Sequence, residues 1–252
     1  HSSELTYTGG NSVPDYQPAA RTTRSFSTGV DLLSEPLRPN FYRAVTDNDD
    51  GAMLHYKSAV WRDPGLKLKD IKADVTDSGV RVKAEYDMEN VGAVLKMSYL
   101  LNASGEIAVT EHMIPGKDKD INTLLRYGMS MAMPHRFSKV DYYGHGPHEN
   151  YIDRSRSAMI GVYSADVADL YQYDYVRPQE SGARTGLRYW RVVDRVGNGL
   201  EISASVPFTA TSLNYKIEDL DLLSPTYVRH PSELVPREDT YVSIDLRQLG
   251  IG

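Results

Sequence analysis

The chain of 252 residues has no cysteine, which excludes a disulfide scaffold, a thiolate metal site and a cysteine nucleophile, while leaving the redox compartment open. Long hydrophobic runs are also missing. No apolar stretch approaches the roughly 20 residues needed to span a bilayer, and no basic segment followed by an apolar one opens the chain. The sequence therefore reads as soluble, cytoplasmic or periplasmic in a bacterium, with no membrane partner. Positive charge is in deficit: 28 Lys and Arg face 34 Asp and Glu, a formal charge of -6. That sign repels a phosphate backbone, so no nucleic-acid partner is expected. A Gly-x-Ser-x-Gly elbow is absent, leaving serine-hydrolase chemistry without a foothold, and Gly144-x-Gly146 lacks the third glycine of a dinucleotide loop. Helical periodicity is scarce, and only Ser164 to Tyr171 and Ile217 to Leu223 suggest a turn or two.

What is present is alternation. Val80, Val82, Ala84 and Tyr86 share one face of an extended segment while Arg81, Lys83 and Glu85 share the other, the pattern of a half-buried antiparallel strand. The same pattern runs through Leu95 to Leu101, Ile107 to Met113, Leu187 to Val193, Leu200 to Val206 and Tyr241 to Leu246. Asn102 to Gly105 and Gly197-Asn198-Gly199 read as hairpin turns, the second supplying residues of positive φ. Leu124 to Met133 is more continuously apolar and reads as a central strand covered on both sides. Many strands with little helix predict an all-β sandwich of large antiparallel sheets. No linker divides the later part of the chain, whereas Thr8 to Ser27 is rich in Gly, Ser, Thr, Pro and Arg and reads as loop or weak edge structure. The organisation expected is a segment 1–25, weakly structured or in part a cloning remnant, followed by one domain, 26–252.

Two polar clusters stand out. Thr46-Asp-Asn-Asp-Asp-Gly51 resembles a calcium loop, but placing Gly51 sixth puts Lys57 where the bidentate Glu should be. As an extended segment it would project Asp47 and Asp49 from one face about 6–7 Å apart, which suits hydrogen bonding or an ion better than two-sided attack on a sugar. A polar turn with side-chain capping accounts for it equally well. The second cluster, Gly144 to Arg154, crowds two glycines, a proline, two histidines, two carboxylates, an amide and an arginine into one stretch and reads as an ordered polar loop. Gly146 and Pro147 forbid the helical spacing by which His145 and His148 would chelate zinc. His148 beside Glu149, with Glu180, His112 or His230 nearby, is the alternative acid/base reading, that of an aldose 1-epimerase-like enzyme. Among eighteen tyrosines, Tyr142, Tyr143, Tyr151, Tyr171, Tyr173 and Tyr175 flank the polar loops and suggest a carbohydrate-facing rim, as in a non-catalytic carbohydrate-binding module.

Four motifs in order, Leu37 to Gly51, Tyr143 to Arg154, Tyr175 to Gly182 and Leu246 to Gly252, resemble the C-terminal, small-chain domain of the β-galactosidases of glycoside hydrolase family 2. The resemblance implies a galactose-mutarotase-like β-supersandwich beside the active site of a retaining β-galactosidase, a glycoside hydrolase of terminal β-D-galactosides. It implies as partners the other domains of the parent, including a TIM barrel carrying the catalytic glutamates, and a galactoside substrate, in a homo-oligomeric parent. It further implies no catalytic residue and no cofactor in this chain, with a divalent or monovalent cation in the parent. Asp47, Asn48, Asp49, Asp50 and Gly51 correspond to a mobile substrate-pocket loop, for which Gly51 would serve as hinge. Gly144, Gly146, Pro147, Glu149, Asn150, Tyr151, Asp153, Arg154, Arg177, Pro178 and Glu180 are expected to be architectural, tying loops together by charge-assisted contacts. The family pattern continues beyond Gly-Ile-Gly with a Gly-Asp-x-Ser-Trp motif whose tryptophan packs on substrate. A chain ending at Gly252 is expected to lack that platform. The first 25 residues match the family poorly.

Overall fold

The computed structural model describes residues 4–7, 20–23, 31–117, 123–221 and 229–251. Thirteen strands lie among them: β1 (Glu4–Tyr7), β2 (Ala20–Thr23), β3 (Glu35–Asn40), β4 (Leu66–Thr76), β5 (Gly79–Met88), β6 (Ala93–Leu101), β7 (Glu106–Ile114), β8 (Arg126–Met133), β9 (Lys139–Gly146), β10 (Met159–Asp166), β11 (Arg184–Val193), β12 (Gly199–Leu213) and β13 (Thr240–Gln248). Every pairing is antiparallel. Among the described residues helix is confined to α1 (Asp47–Gly51), α2 (Leu54–Lys57), α3 (Ile217–Leu220) and short 3-10 turns. None of the described helices is long and apolar enough to cross a membrane.

The architecture follows from β12, a strand of 15 residues. Along one edge it pairs with β11. Along the other it changes partner: Gly199–Ile202 pair with β2, while Thr209–Leu213 pair with β13. The sheet therefore forks into one arm running β2-β7-β6-β5-β4 and another running β13-β8-β3. The ladder to β11 is irregular between the Tyr189–Ser203 and Leu187–Phe208 pairs. Pro207 lies in that interval, where its missing N–H costs no regular ladder bond. The alternating run was expected to stop at Val206; the strand continues through Pro207 because the fork supplies an irregular stretch for it.

The arms enclose one core. Leu95, Met97 and Val109 of the first arm and Met129, Met131, Met133, Val242 and Ile244 of the second are buried in it, with Trp190 and Ile202 from the shared strands. The Tyr127 hydroxyl of β8 reaches β7, accepting from the Met113 N–H at 3.2 Å and donating to the Glu111 carbonyl at 3.3 Å. Trp190 is wholly buried, and its indole N–H is satisfied by Ser212 Oγ at 3.0 Å. In β8 only Ser130 is more than marginally accessible, as expected of a centrally covered strand, and it is flanked by β13 and β3.

Several expectations are corrected. Most of 8–27 lies outside the described residues, but Ala20–Thr23 is a strand between β12 and β7, an interior place earned by backbone bonds on both sides. Gly144 to Gly146 are not loop: they finish β9, paired to Met159–Gly161. Ser164 to Asp166 belong to β10, and only Val167–Leu170 turn, as a single 3-10 unit. In the β11–β12 hairpin Gly197 alone has positive φ, at +86°. Residues 222 and 223 of the second expected helix lie outside the described residues.

Candidate functional site

The motif loops meet at one end of the forked sheet, around α1. Thr46 caps that helix: Asp49 N–H donates to Thr46 Oγ1 at 3.3 Å, and Thr46 N–H donates to Asp49 Oδ2 at 2.8 Å. This reciprocal capping box makes 47–51 helical, which overturns the extended geometry expected for Asp47 and Asp49. On a helix the neighbours are i and i+3, so Asp47 and Asp50 share a face and both engage Arg177, Asp47 Oδ1 lying 2.5 Å from its Nε. Asp49 turns the other way. It receives both Nη1 (2.5 Å) and Nη2 (3.2 Å) of Arg43, a guanidinium with no exposed side-chain surface.

The C-terminal segment closes over this pair. Arg43 Nη2 also donates to the Gly250 carbonyl at 3.0 Å, Asn48 Nδ2 donates to the Ile251 carbonyl at 2.9 Å, and Ile251 N–H donates to Asp153 Oδ2 at 3.0 Å. From the 175–182 loop, Gln179 Oε1 accepts the Asp47 N–H at 3.2 Å, Pro178 is buried, and Glu180 Oε1 accepts from Arg126 (3.0 Å) and Gln248 (2.8 Å). Arg126 Nε in turn lies 3.1 Å from Asp245 Oδ1, and this ion pair is almost wholly buried.

The 144–154 segment is tied by its amide and its carboxylate. Asn150 donates from Nδ2 to the His145 and His148 carbonyls, each at 3.1 Å, and accepts at Oδ1 from Thr185 N–H and hydroxyl at 3.0 and 2.5 Å. Glu149 accepts from Arg154, from the Tyr175 hydroxyl and, at 2.7 Å, from Gly182 N–H. Gly182 has φ +81°, open to glycine at little cost, and a Cβ at Gly146 would stand 2.4 Å from the Tyr142 hydroxyl. The Gly146–Pro147 peptide is cis. Arg154 lies over the buried Tyr151 ring, 5.1 Å from its centroid.

Burial pushes the Glu111 carboxyl well above the ordinary carboxylate range, with Asp245 adding to the effect. Burial likewise lifts Asp245 to about 7 against the opposing pull of Arg126. Burial and then Glu149 push the Tyr175 phenol up to about 12. In Arg126 the charge is opposed by burial but held above its usual pKa by Asp245 and Glu180 together.

A family profile described as "Beta galactosidase small chain" matches residues 19–252. The chain belongs to the β-galactosidase small-chain family. It is 29% identical over 225 residues to a β-galactosidase of Priestia megaterium, covering 88% of this chain and 21% of that one. It is 32% identical over 216 residues to a β-galactosidase of Lactobacillus delbrueckii subsp. bulgaricus, covering 84% and 20%, and 30% identical over 229 residues to one of Halalkalibacterium halodurans, covering 89% and 22%. The chain spans about a fifth of the length of these relatives.

In this small-chain member the groups of the epimerase reading are engaged with other partners. His148 is exposed and faces Ser157 Oγ at 3.4 Å, while both oxygens of Glu149 are engaged elsewhere; His230 is exposed and caps Ser232. The tyrosine rim is also revised: Tyr142, Tyr151 and Tyr171 are buried in packing, leaving Tyr143 and Tyr173 exposed and Tyr175 half-buried. Gly51 has no positive φ, and a Cβ there would meet nothing. The strained residue is Met53, with φ +60° between α1 and α2. Sequence reasoning also passed over Arg43, Arg126 and Asp245. The signal for each was a charge embedded in an apolar run: Phe41-Tyr-Arg-Ala-Val45, Leu124-Leu-Arg-Tyr127 and Val242-Ser-Ile-Asp-Leu246. Among the described residues no group of three or more His, Asp or Glu side chains is arranged to hold a metal ion.

Proposed function

We propose that this chain is an accessory part of a retaining β-galactosidase, packing on the parent's other domains and shaping its substrate pocket through the α1 loop, Asp47 to Gly51. The observation that carries the reading is the clamp on α1. Asp49 is locked to buried Arg43, while the 175–182 loop and the C-terminal segment hold the helix from two sides. Such a scaffold presents Asn48, Asp50 and the following residues from a rigid base, as a pocket wall requires. The carboxylates in the three motif loops are each taken up by arginine, hydroxyl or backbone N–H donors. Those donors are the partners of a structural carboxylate, whereas a retaining glycosidase needs two carboxyls about 5–5.5 Å apart across a sugar. The paired glutamates are accordingly assigned to another domain, and the loop residues Gly144 to Arg154 with Arg177, Pro178 and Glu180 to architecture.

The test is to compare the purified chain with the full-length enzyme on a chromogenic galactoside, together with Glu149→Ala in the latter. The chain alone should be inert, and Glu149→Ala should lower the melting temperature and lose turnover in step with folding. Hydrolysis by the chain alone, or a stable Glu149→Ala enzyme that selectively loses turnover, would overturn the assignment. Mutarotation of fresh α-galactose above the buffer rate, abolished by His148→Ala, would support the epimerase instead.

A further inference from the structure

We propose that the apolar face of the β4–β5 hairpin docks on an uncharged, aliphatic surface of the parent polypeptide outside these 252 residues, by packing of faces and not by addition of a strand. Residues directly opposite in a sheet share a face. Five such rows cross β4, β5 and β6, the first being Leu66, Met88 and Ala93 and the last Val75, Val80 and Leu101, and every member of the five is aliphatic, Met or Tyr. β4 keeps to this pattern by an irregularity. Its register shifts between Leu68 and Asp70, leaving Lys69 as an extra residue, so that Ile71 stands on the apolar side opposite Ala84. Strict alternation from Leu66 and Leu68 would have placed Asp70, Lys72 and Asp74 there.

The core covers only part of this face. Met88, Leu95 and Met97 are buried in it, whereas Leu68, Ile71 and Val75 are 50%, 57% and 87% exposed and Val80 and Leu101 are 43% and 42% exposed. The overhang is therefore the β4 edge and the hairpin end. The reverse face is built for water: Lys69 lies 3.1 Å from Glu85, Lys72 2.9 Å from Asp70 and Lys96 3.6 Å from Glu85. β4 is open on both faces, and only one of them carries the charges of a solvated surface. A contiguous exposed aliphatic strip of this kind marks an interaction site.

The kind of partner follows from the strip. No charge stands in any of the five rows, so an ionic partner would find nothing to pair with. Among the described residues β4 ends its arm of the sheet, and it carries Lys67, Lys69, Lys72 and the bulge, devices that discourage a further strand. The contact therefore lies on the face. The strip runs roughly 30 Å along β4 and about 10 Å across three strands, the footprint of one long helix or of two strands of a facing sheet. Aliphatic surface of that extent belongs to permanent interfaces more than to transient ones. The chain spans about a fifth of the length of its β-galactosidase relatives, and polypeptide joined covalently to it would meet the strip at an effective concentration in the mM range. A second copy of the chain has no such advantage.

Because the chain has no cysteine, single cysteines report on the strip through maleimide labelling. Ile71→Cys and Val75→Cys lie on it, and Asp74→Cys, opposite Arg81 on the charged face, is the control. In the isolated chain the three should react at similar rates. In the full-length enzyme, with its unsubstituted form as blank, the first two should react roughly tenfold or more slower than the control, because labelling then waits for local opening. Melting temperatures confirm folding, and if Ile71→Cys unfolds, Val75→Cys carries the test. Equal labelling of all three in the full-length enzyme would overturn the proposal. Protection in the isolated chain that grows with its concentration would overturn it too, making a second copy the occupant. The proposal rests on the accessory reading, yet the two fail separately: an open strip in the full-length enzyme leaves the galactosidase assay as it was, and galactoside hydrolysis by the chain alone leaves the labelling ratio as it was.

Discussion

Asp47 and Asp49 are two residues apart, and the structure gives them opposite fates that mutation can separate. Asp49 has 5% of its side chain exposed and pairs with an Arg43 that has none, whereas Asp47 is 58% exposed and pairs with Arg177. Asp49→Asn keeps an oxygen for the Thr46 N–H but leaves the guanidinium without its anion, held by the carbonyls of Ala44 and Gly250. Breaking a buried pair from one side costs about 3–5 kcal/mol because the remaining charge stays desolvated. In a chain of this size that lowers the melting temperature by roughly 6–20 °C. Asp47→Asn removes an exposed pair worth about 0–1 kcal/mol. Urea unfolding at neutral pH, with melting followed by circular dichroism, reads both. Because Asp49 also anchors the helix cap and, through Arg43, the last residues of the chain, tryptic cleavage near the C-terminus should quicken in Asp49→Asn alone. If the two variants lose similar stability, or if Asp49→Asn costs less than about 1 kcal/mol, the helical clamp is the wrong description of this loop.

Asp245 titrates near 7 in the folded protein against 3.8 ordinarily, so the folded state holds the proton more tightly. Its stabilising contribution is complete below pH ~4 and declines as pH rises through 7, by about 4 kcal/mol in all. Asp245→Asn should flatten the pH dependence of urea unfolding between pH 4 and 8, and parallel curves for the two proteins would refute the assignment. Asn150→Ala breaks two donor and two acceptor contacts at a fully buried side chain, and should cost about 2–4 kcal/mol by urea unfolding; a loss under ~1 kcal/mol would show that the 144–154 loop holds itself by other means. Met53→Gly relieves a left-handed backbone at a cost in unfolded-state entropy, for a net gain of about 0.5–1 kcal/mol in chemical denaturation; destabilisation would mean that the exposed methionine side chain contributes packing.

The strands that could be read in the sequence were those whose two faces meet different surroundings. In β6, Ala93, Leu95 and Met97 are buried while Lys96 is exposed, so a period of two survives into the fold. In β4 the same rule gives little, since ten of its eleven residues are exposed and Ile71 and Val75 lie open at the sheet's end. For β3 two prolines hid a strand that pairs with β8 through the register shift between Glu35 and Arg38. Gly144 and Gly146 looked like loop formers, but they are strand residues that allow Leu187 and Tyr142 to come within contact of the backbone. Turn-forming residues and close-approach residues are the same amino acids, and local sequence does not tell them apart.

The site follows a different logic, because its contacts join residues far apart in the chain. Arg126 and Glu180 are 54 positions apart, and Arg43 and Gly250 are 207 apart. No periodicity encodes such pairs. What the sequence does carry is a cost without its compensation: a lone charge in an apolar strand has to find a partner or shift its pKa. Arg43, Arg126 and Asp245 each present that cost, and each resolves it differently: a bidentate carboxylate for Arg43, a shared pair of acids for Arg126, and partial retention of a proton for Asp245.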